Sequence, residues 1–551
     1  MKKIIFLLAF AGIMALTASA QKTVYMPDSW RQNAIPEKVG EHCTFANGLR
    51  YSEIVINSRL NDFKANTTAA GFGVFDATGH LMKSPTGTKG NLDYVPGLVA
   101  KGVIEAVDYY RNSDVVDVRP WFYAVQHYAR LDITNNGKDG KSFDDLNAVK
   151  LYFKLRELAA TKVFADGEHH TNAATVTTAD TRFKDALEGI NRANKTYVIK
   201  ASTLEGAAGG WWHKSGYVNQ MWCDGQYMGP ALMAQLLNEY TGYTPISDDD
   251  WALVARQFTI AWNYLWDDNV KLLYHAFTAD PANTYGWAGI SATKGAEVYH
   301  SQEFWGRAEA WYFLGLVDVL EQMMIAGRMA TADYTTLHDM LQRLGAGIAA
   351  KQDAESGCWY QLLNHDGNFT ARNYNSSYRY TAGPVANYLE SSCTAIFTAA
   401  YLKGMRLGLF DTDYTEVAKR AYRGFVEHFM VSDGNGGVHL INCCKSAGLG
   451  GSSYRDGSAA YYLMGRDTEP TVDNPASSSF YTEGKVLGGF ILASTEYERR
   501  FIDGDESSVG SLPNSKNTKS NMHYDLQGRH IANGKSQRAL VIVDGNKYIG
   551  K

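Results

Sequence analysis

The chemistry concentrates in one stretch, Gly209-Gly210-Trp211-Trp212-His213-Lys214-Ser215-Gly216-Tyr217-Val218-Asn219-Gln220-Met221-Trp222-Cys223-Asp224-Gly225-Gln226-Tyr227-Met228. It sets a single carboxylate, Asp224, among indole and phenol rings at the entrance to a helix. Apolar neighbours disfavour the charged form, so they raise the pKa of a carboxyl toward what a general acid needs. A helix N-terminus works the other way, but Pro230 predicts that the regular helix starts near Gly229, a turn beyond Asp224. The plainer reading is that Asp224 only caps a helix. Trp222 offers a ring for a sugar to stack on. A second acidic point is Asp144-Asp145, after Ser142-Phe143. As an N-cap with an acidic first turn it needs no further explanation; functionally, Asp145 would face Asp224 across a cleft. Phe304-Trp305-Gly306-Arg307-Ala308-Glu309-Ala310-Trp311 adds an arginine suited to clamping a carboxylate. Trp305 and Trp311 would wall a sugar site, or else belong to the core. His275, in Leu273-Tyr274-His275-Ala276-Phe277, would bind or carry a proton, although a lone histidine among apolar residues is ordinarily structural.

These groups need a scaffold, and the pattern predicts helices. Apolar residues recur at helical spacing through Ala308, Tyr312, Gly315, Leu316, Val319, Leu320 and Met323. Similar segments fall near 50–62, 97–111, 119–131, 144–159, 179–193, 224–241, 249–266, 302–324, 334–351, 388–406, 414–430 and 483–498. The first would suit a strand equally well, because of Ile54-Val55-Ile56. Twelve helices without strand–helix alternation predict an all-α domain over residues 47–500. Long Gly-, Ser- and Asn-rich connections at 160–178, 194–223, 267–301 and 352–387 suggest a toroid that gathers loops at one mouth.

The chain has 551 residues, 45% of them hydrophobic, and a formal net charge of −5. That excludes the basic balance of a nucleic-acid binder and the composition of a disordered chain. Lys2-Lys3, an apolar run from Ile4 to Leu16 and Ala18-Ser19-Ala20 read as a signal peptide over 1–20, so export to the periplasm or medium is expected. No cysteine follows for a lipid anchor and no later run suits a membrane span. Residues 21–46 are an N-terminal extension, 501–521 a polar linker, and 522–551 a small β tail with strands at His523–Arg529 and Leu540–Lys547. Six scattered cysteines, two of them adjacent, form neither a disulfide framework nor a zinc spacing, and one disulfide is conceivable.

Taken in order, the motifs resemble the unsaturated glucuronyl and rhamnogalacturonyl hydrolases of glycoside hydrolase families 88 and 105. The resemblance runs through Asp93-Tyr94-Val95-Pro96-Gly97, Asp144-Asp145-Leu146-Asn147, His213–Met228, Tyr274-His275, Phe304-Trp305-Gly306-Arg307, Asn387-Tyr388-Leu389-Glu390-Ser391-Ser392, Gly448-Leu449-Gly450-Gly451 and Tyr454-Arg455-Asp456-Gly457-Ser458. It implies an (α/α)6 barrel, with Asp224 as general acid and Asp145 as the second carboxylate beside the water. Tyr94, His213, Lys214, His275 and Arg307 would line the substrate site, with neither metal nor cofactor. The implied substrate is an oligosaccharide ending in a 4,5-unsaturated uronate, bound by a monomer or weak oligomer. Two departures stand out: Glu309 lies where the family commonly has Asn, and Leu92 where it has Trp. A polysaccharide lyase using His213, Tyr217 and Asn219, or an exported glycan-binding protein, are the alternative readings.

Overall fold

Close helix approach sets the architecture. At Gly488 an added Cβ would lie 2.6 Å from Cγ of Leu98, so two helices meet there backbone to side chain. The computed structural model describes residues 40–64, 92–113, 116, 118–133, 135–161, 173–240, 247–281, 287–288, 299–365, 368–370, 384–432, 437–452, 454–465, 467–477, 479–504, 540–543 and 546–549. The predicted signal peptide, most of the predicted N-terminal extension, nearly all of the predicted linker and the predicted strand at 523–529 lie outside these.

Every one of the twelve predicted segments contains a helix, and they alternate between two layers. The outer layer holds Tyr51–Lys64, Arg119–Tyr128, Ala173–Thr196, Asp248–Leu265, Ala332–Ala350 and Thr415–Phe429. The inner layer holds Tyr94–Tyr110, the broken helix Phe143–Asn147 to Leu151–Ala159, the broken helix Cys223–Met228 to Pro230–Glu239, then Gly306–Ile325, Ser391–Arg406 and Gly484–Tyr497. Each inner helix packs on the next, and Gly484–Tyr497 returns to Tyr94–Tyr110, closing the ring. The result is the predicted α/α barrel. Burial explains the layering: eighteen residues of Gly306–Ile325 are buried, as befits a helix apolar on all sides. On Thr415–Phe429 the buried residues form one stripe.

The first segment, Tyr51–Lys64, is a helix and not a strand, and all of residues 51–58 are buried. The predicted 224–241 helix is interrupted at Gly229, where Pro230 opens a new helix at its first position. The predicted strand at 540–547 is instead a hairpin, Leu540–Val543 paired with Asn546–Ile549. Asp544-Gly545 joins them, a dipeptide that favours tight turns. All six cysteines are free and buried. Among the described residues no helix is long and apolar enough to cross a membrane.

All inner helices begin at the same mouth. Asp93, Ser142, Glu390 and Glu483 cap four of them with side-chain bonds to the first turn. Cys223–Met228 and Gly306–Ile325 have no side-chain cap. At the far end the barrel is sealed by ions: Asp318 pairs with Lys150 at 3.3 Å and Lys403 at 2.7 Å, and Lys403 also pairs with Glu321.

A second buried acidic pair makes stability depend on pH. Glu498 accepts from the Ser52 backbone at 2.8 Å and the Tyr110 hydroxyl. Burial and the charge of Glu498 push Glu53 up to about 8, and burial pushes Glu498 up to about 7. Both acids hold their protons more tightly folded than unfolded, so their contribution is greatest at acid pH and is lost as pH rises toward 8. Glu53→Gln should therefore raise Tm at pH 9 and change it little at pH 5. Equal shifts at both pH values in thermal unfolding would contradict this.

Candidate active site

Two three-residue strands assemble the centre of the mouth. Gln220–Trp222 pairs antiparallel with Ala276–Thr278, with Trp222 opposite Ala276. The next residue on each strand is then brought alongside: the Cys223 N–H donates to the His275 carbonyl at 3.0 Å. As a consequence His275 Nε2 lies 3.3 Å from Oδ2 of Asp224, at ion-pair distance, and both atoms are buried without a hydrogen-bond partner. The other imidazole nitrogen, Nδ1, is 2.7 Å from the hydroxyl of Tyr462. Trp222 meets the imidazole edge-on with centroids 4.9 Å apart, and Trp305 lies 4.6 Å away.

Asp224 sits in the first turn of the short Cys223–Met228 helix, not a turn before it as Pro230 suggested. Its pKa also departs from expectation. Burial pulls it up, but the adjacent His275 and the charge of His213 outweigh burial and hold it below the usual carboxylate value. The aromatic surroundings do not keep this group uncharged in the free protein. Burial in turn holds His275 below its ordinary value, against the pull of Asp224.

His213 comes from the same hairpin region. Its backbone N–H donates to the Gln220 carbonyl at 3.0 Å, and its ring packs over Gly225, where a Cβ would fall 2.9 Å from Nδ1. A side chain at 225 would push the imidazole away. His213 Nε2 lies 3.3 Å from Oδ1 of Asp144, and Lys214 Nζ lies 2.5 Å from Oδ2. A β-bridge between Ser142 and Lys214 holds the two segments together. Asp144 is thus the carboxylate joined to His213, and burial does not prevent Lys214 and His213 from holding its pKa far down. Asp145, the residue singled out in the sequence, is buried in the same turn, with its Cβ facing Gly137.

The remaining candidates form the floor and walls. Tyr94 opens its helix behind the Asp93 cap and meets Trp311 edge-on at 6.3 Å. Trp311 stacks on Tyr227 at 4.9 Å, and Lys150 Nζ sits 3.4 Å from the centre of that ring. Trp222, Trp305 and Trp311 are 4%, 3% and 1% exposed. They support the site more than they face solvent. His213 and Tyr217 lie nearly parallel to Trp222, at 5.4 Å and 4.7 Å, so the half-buried Tyr217 is the more open ring. Arg307 is buried, with its guanidinium bonded to the Cys444 carbonyl, the Ser392 hydroxyl at 3.2 Å and the Lys445 carbonyl at 3.4 Å, and Glu390 is 3.9 Å away. These bonds hold the guanidinium in place as a buried charge behind the wall. Glu309 is fully buried without a hydrogen-bond partner, and burial pushes its pKa well up.

Sequence reasoning missed Tyr462, Asp144 as the partner of His213, and Gln361. Gln361 accepts the Trp305 indole N–H at 3.0 Å and donates to the Tyr462 carbonyl at 3.2 Å. Tyr462 has no local signal, since it lies 187 residues from the histidine it touches.

Known proteins share this arrangement of elements. Residues 75–501 match Glycosyl Hydrolase Family 88. A family 105 glycoside hydrolase of C. acetobutylicum is 25% identical and superposes with a TM-score of 0.57, covering 82% of this chain and 99% of that one. A possible family 105 member from Klebsiella pneumoniae is 19% identical, with a TM-score of 0.51, 83% of this chain and 94% of that one covered, and so shares the fold. Protein Atu3128 of Agrobacterium fabrum is 33% identical over 247 residues, 44% of this chain and 88% of its own length. The match across most of the chain, on a barrel whose mouth gathers buried acids and histidines, places it in glycosyl hydrolase family 88 and makes it a glycoside hydrolase.

Proposed function

We propose that this glycoside hydrolase removes a 4,5-unsaturated uronate from the non-reducing end of lyase-generated oligosaccharides. The observation that carries the reading is the Asp224–His275 pair, a buried carboxylate 3.3 Å from an imidazole. Such a pair holds and returns one proton. An ordinary glycosidase needs two carboxyl groups flanking the anomeric carbon; an enol ether needs one positioned acid that later serves as base.

The steps follow from the substrate's electrons. C5 of the unsaturated uronate bears the ring oxygen, so the C4=C5 bond is electron-rich at C4. The Asp224 carboxyl delivers a proton to C4, and the cation left at C5 is stabilised by the ring oxygen. Water adds at C5 and gives its proton to Asp224. The C5 hemiketal opens by breaking its bond to the ring oxygen, leaving a ketone at C5 and a hemiacetal at C1. That hemiacetal releases the neighbouring sugar as an alcohol. We assign orientation of the water to Asp144, because His213 links it to the same mouth.

A proton must reach Asp224 first. The free carboxyl is ionised, but a uronate carboxylate arriving beside it disfavours a second negative charge and pushes its pKa up. Arg307, whose charge is felt at His275, and the inner-helix N-termini favour the arriving anion. Proton uptake and substrate binding are then coupled.

Three outcomes follow. Asp224→Asn should lower kcat by roughly 10²–10⁴-fold, read as slower loss of the enol-ether absorbance, with the circular dichroism spectrum unchanged; near-normal turnover would refute the assignment. Asp144→Asn should lower kcat more than Asp145→Asn, and the reverse order in steady-state kinetics would return the role to Asp145. The pair carries its reacting proton below the pKa of His275, which burial keeps under the ordinary 6.5. The kcat/KM profile should therefore fall as pH rises through that region, while kcat, which reports the complex, holds to higher pH. Coincident limbs would contradict substrate-coupled proton uptake.

A further inference from the structure

We propose that Tyr462 is a positioning residue that fixes His275 as the Nε2–H tautomer and so controls when Asp224 holds the reacting proton. The control of catalysis rests on the hydrolase reading above; the tautomer does not.

Tyr462 is rigidly placed. It lies on the short helix Ala459–Met464, capped by the Ser458 hydroxyl, which is itself held by Asp456 at 2.7 Å. Its carbonyl accepts from the buried Gln361 at 3.2 Å, and its ring is tilted against Trp305 with centroids 6.1 Å apart. Gln361 also holds the Trp305 indole, so one buried amide ties the Tyr462 backbone to the indole beside the imidazole.

The hydroxyl of Tyr462 lies 2.7 Å from Nδ1 of His275. Burial pushes the phenol well above its ordinary value, so it keeps its proton. A neutral imidazole carries one N–H. With Nδ1 accepting from the phenol, that N–H is on Nε2, facing Oδ2 of Asp224 at 3.3 Å. When the pair gains a proton, Nδ1–H donates to the same hydroxyl oxygen, so the contact persists in both states.

The charges around the imidazole are Asp224, which favours its protonation, and His213 and Arg307, which oppose it. The titratable groups around the phenol are Tyr461, Glu303, Asp224 and Cys444. Loss of the hydroxyl would leave Nδ1 buried without a partner. The Nδ1–H tautomer would then be free to form, turning an Nε2 lone pair toward the Asp224 carboxylate.

Tyr462→Phe removes one oxygen and keeps the ring. Two readouts test it: the pH profile of kcat/KM on a lyase-generated unsaturated disaccharide, and the imidazole ¹⁵N shifts of His275 in the free protein, assigned by comparison with His275→Gln. The wild type should show protonated Nε2 and unprotonated Nδ1. The variant should show a mixed tautomer, a kcat lower by roughly tenfold or more, little change in KM and a displaced pH limb. A wild-type Nδ1–H tautomer, or a variant whose profile superposes on the wild type, would overturn the proposal. The wild-type spectrum decides this even if the variant does not fold. A wild type inert toward every unsaturated uronide would refute the hydrolase reading, while the ¹⁵N shifts would still decide the tautomer.

Discussion

The contact between Asp224 and His275 depends on three residue pairs of antiparallel strand, Gln220–Thr278, Met221–Phe277 and Trp222–Ala276. Because side chains alternate across a strand, a slip of one residue would turn Trp222 and His275 to other faces and separate the acid from the imidazole. Flanking backbone hydrogen bonds hold that register. Cys223 donates to the His275 carbonyl, the Thr278 N–H takes the Tyr299 carbonyl, and the Ala279 N–H takes the Asn219 carbonyl. Asn219 itself has a left-handed φ of 57°, in the turn that leads into the strand.

Burial and the neighbouring histidines compete at this site, and the histidines prevail in the free protein. An isolated buried carboxyl is pushed toward its protonated form, the direction in which burial moves Glu309. Asp224 instead has the His275 imidazole at 3.3 Å, and this contact together with the charge of His213 reverses the direction of the shift. On the proposed reading the site rests as a carboxylate and takes up its proton when an anion enters. The same logic gives Asp144 a different character, since Lys214 and His213 together keep it ionised. Two carboxylates near one mouth are set to different duties by their neighbours.

Much of this was legible in the chain. Helical spacing located all twelve barrel helices, because each buries a continuous side. The stretch around Asp224 was identifiable because its aromatics, histidine and acid are close in sequence. What could not be read depends on distant pairing. Strands of two or three residues leave no periodicity, so the Gln220–Trp222 and Ala276–Thr278 pair lay inside regions read as loops. Neighbouring positions such as Asp144 and Asp145 differ only in which way the turn points them. The direction of the Asp224 shift required His275 to be located, and Tyr462 required a contact spanning 187 residues.

The central claim is that a positioned acid adds one proton to C4 of an unsaturated uronate. Running the wild-type reaction in D₂O and reading the product by NMR tests it directly. A single deuterium at C4, on one face only, is the predicted result. Product without deuterium at C4, or with deuterium spread equally over both faces, would contradict it.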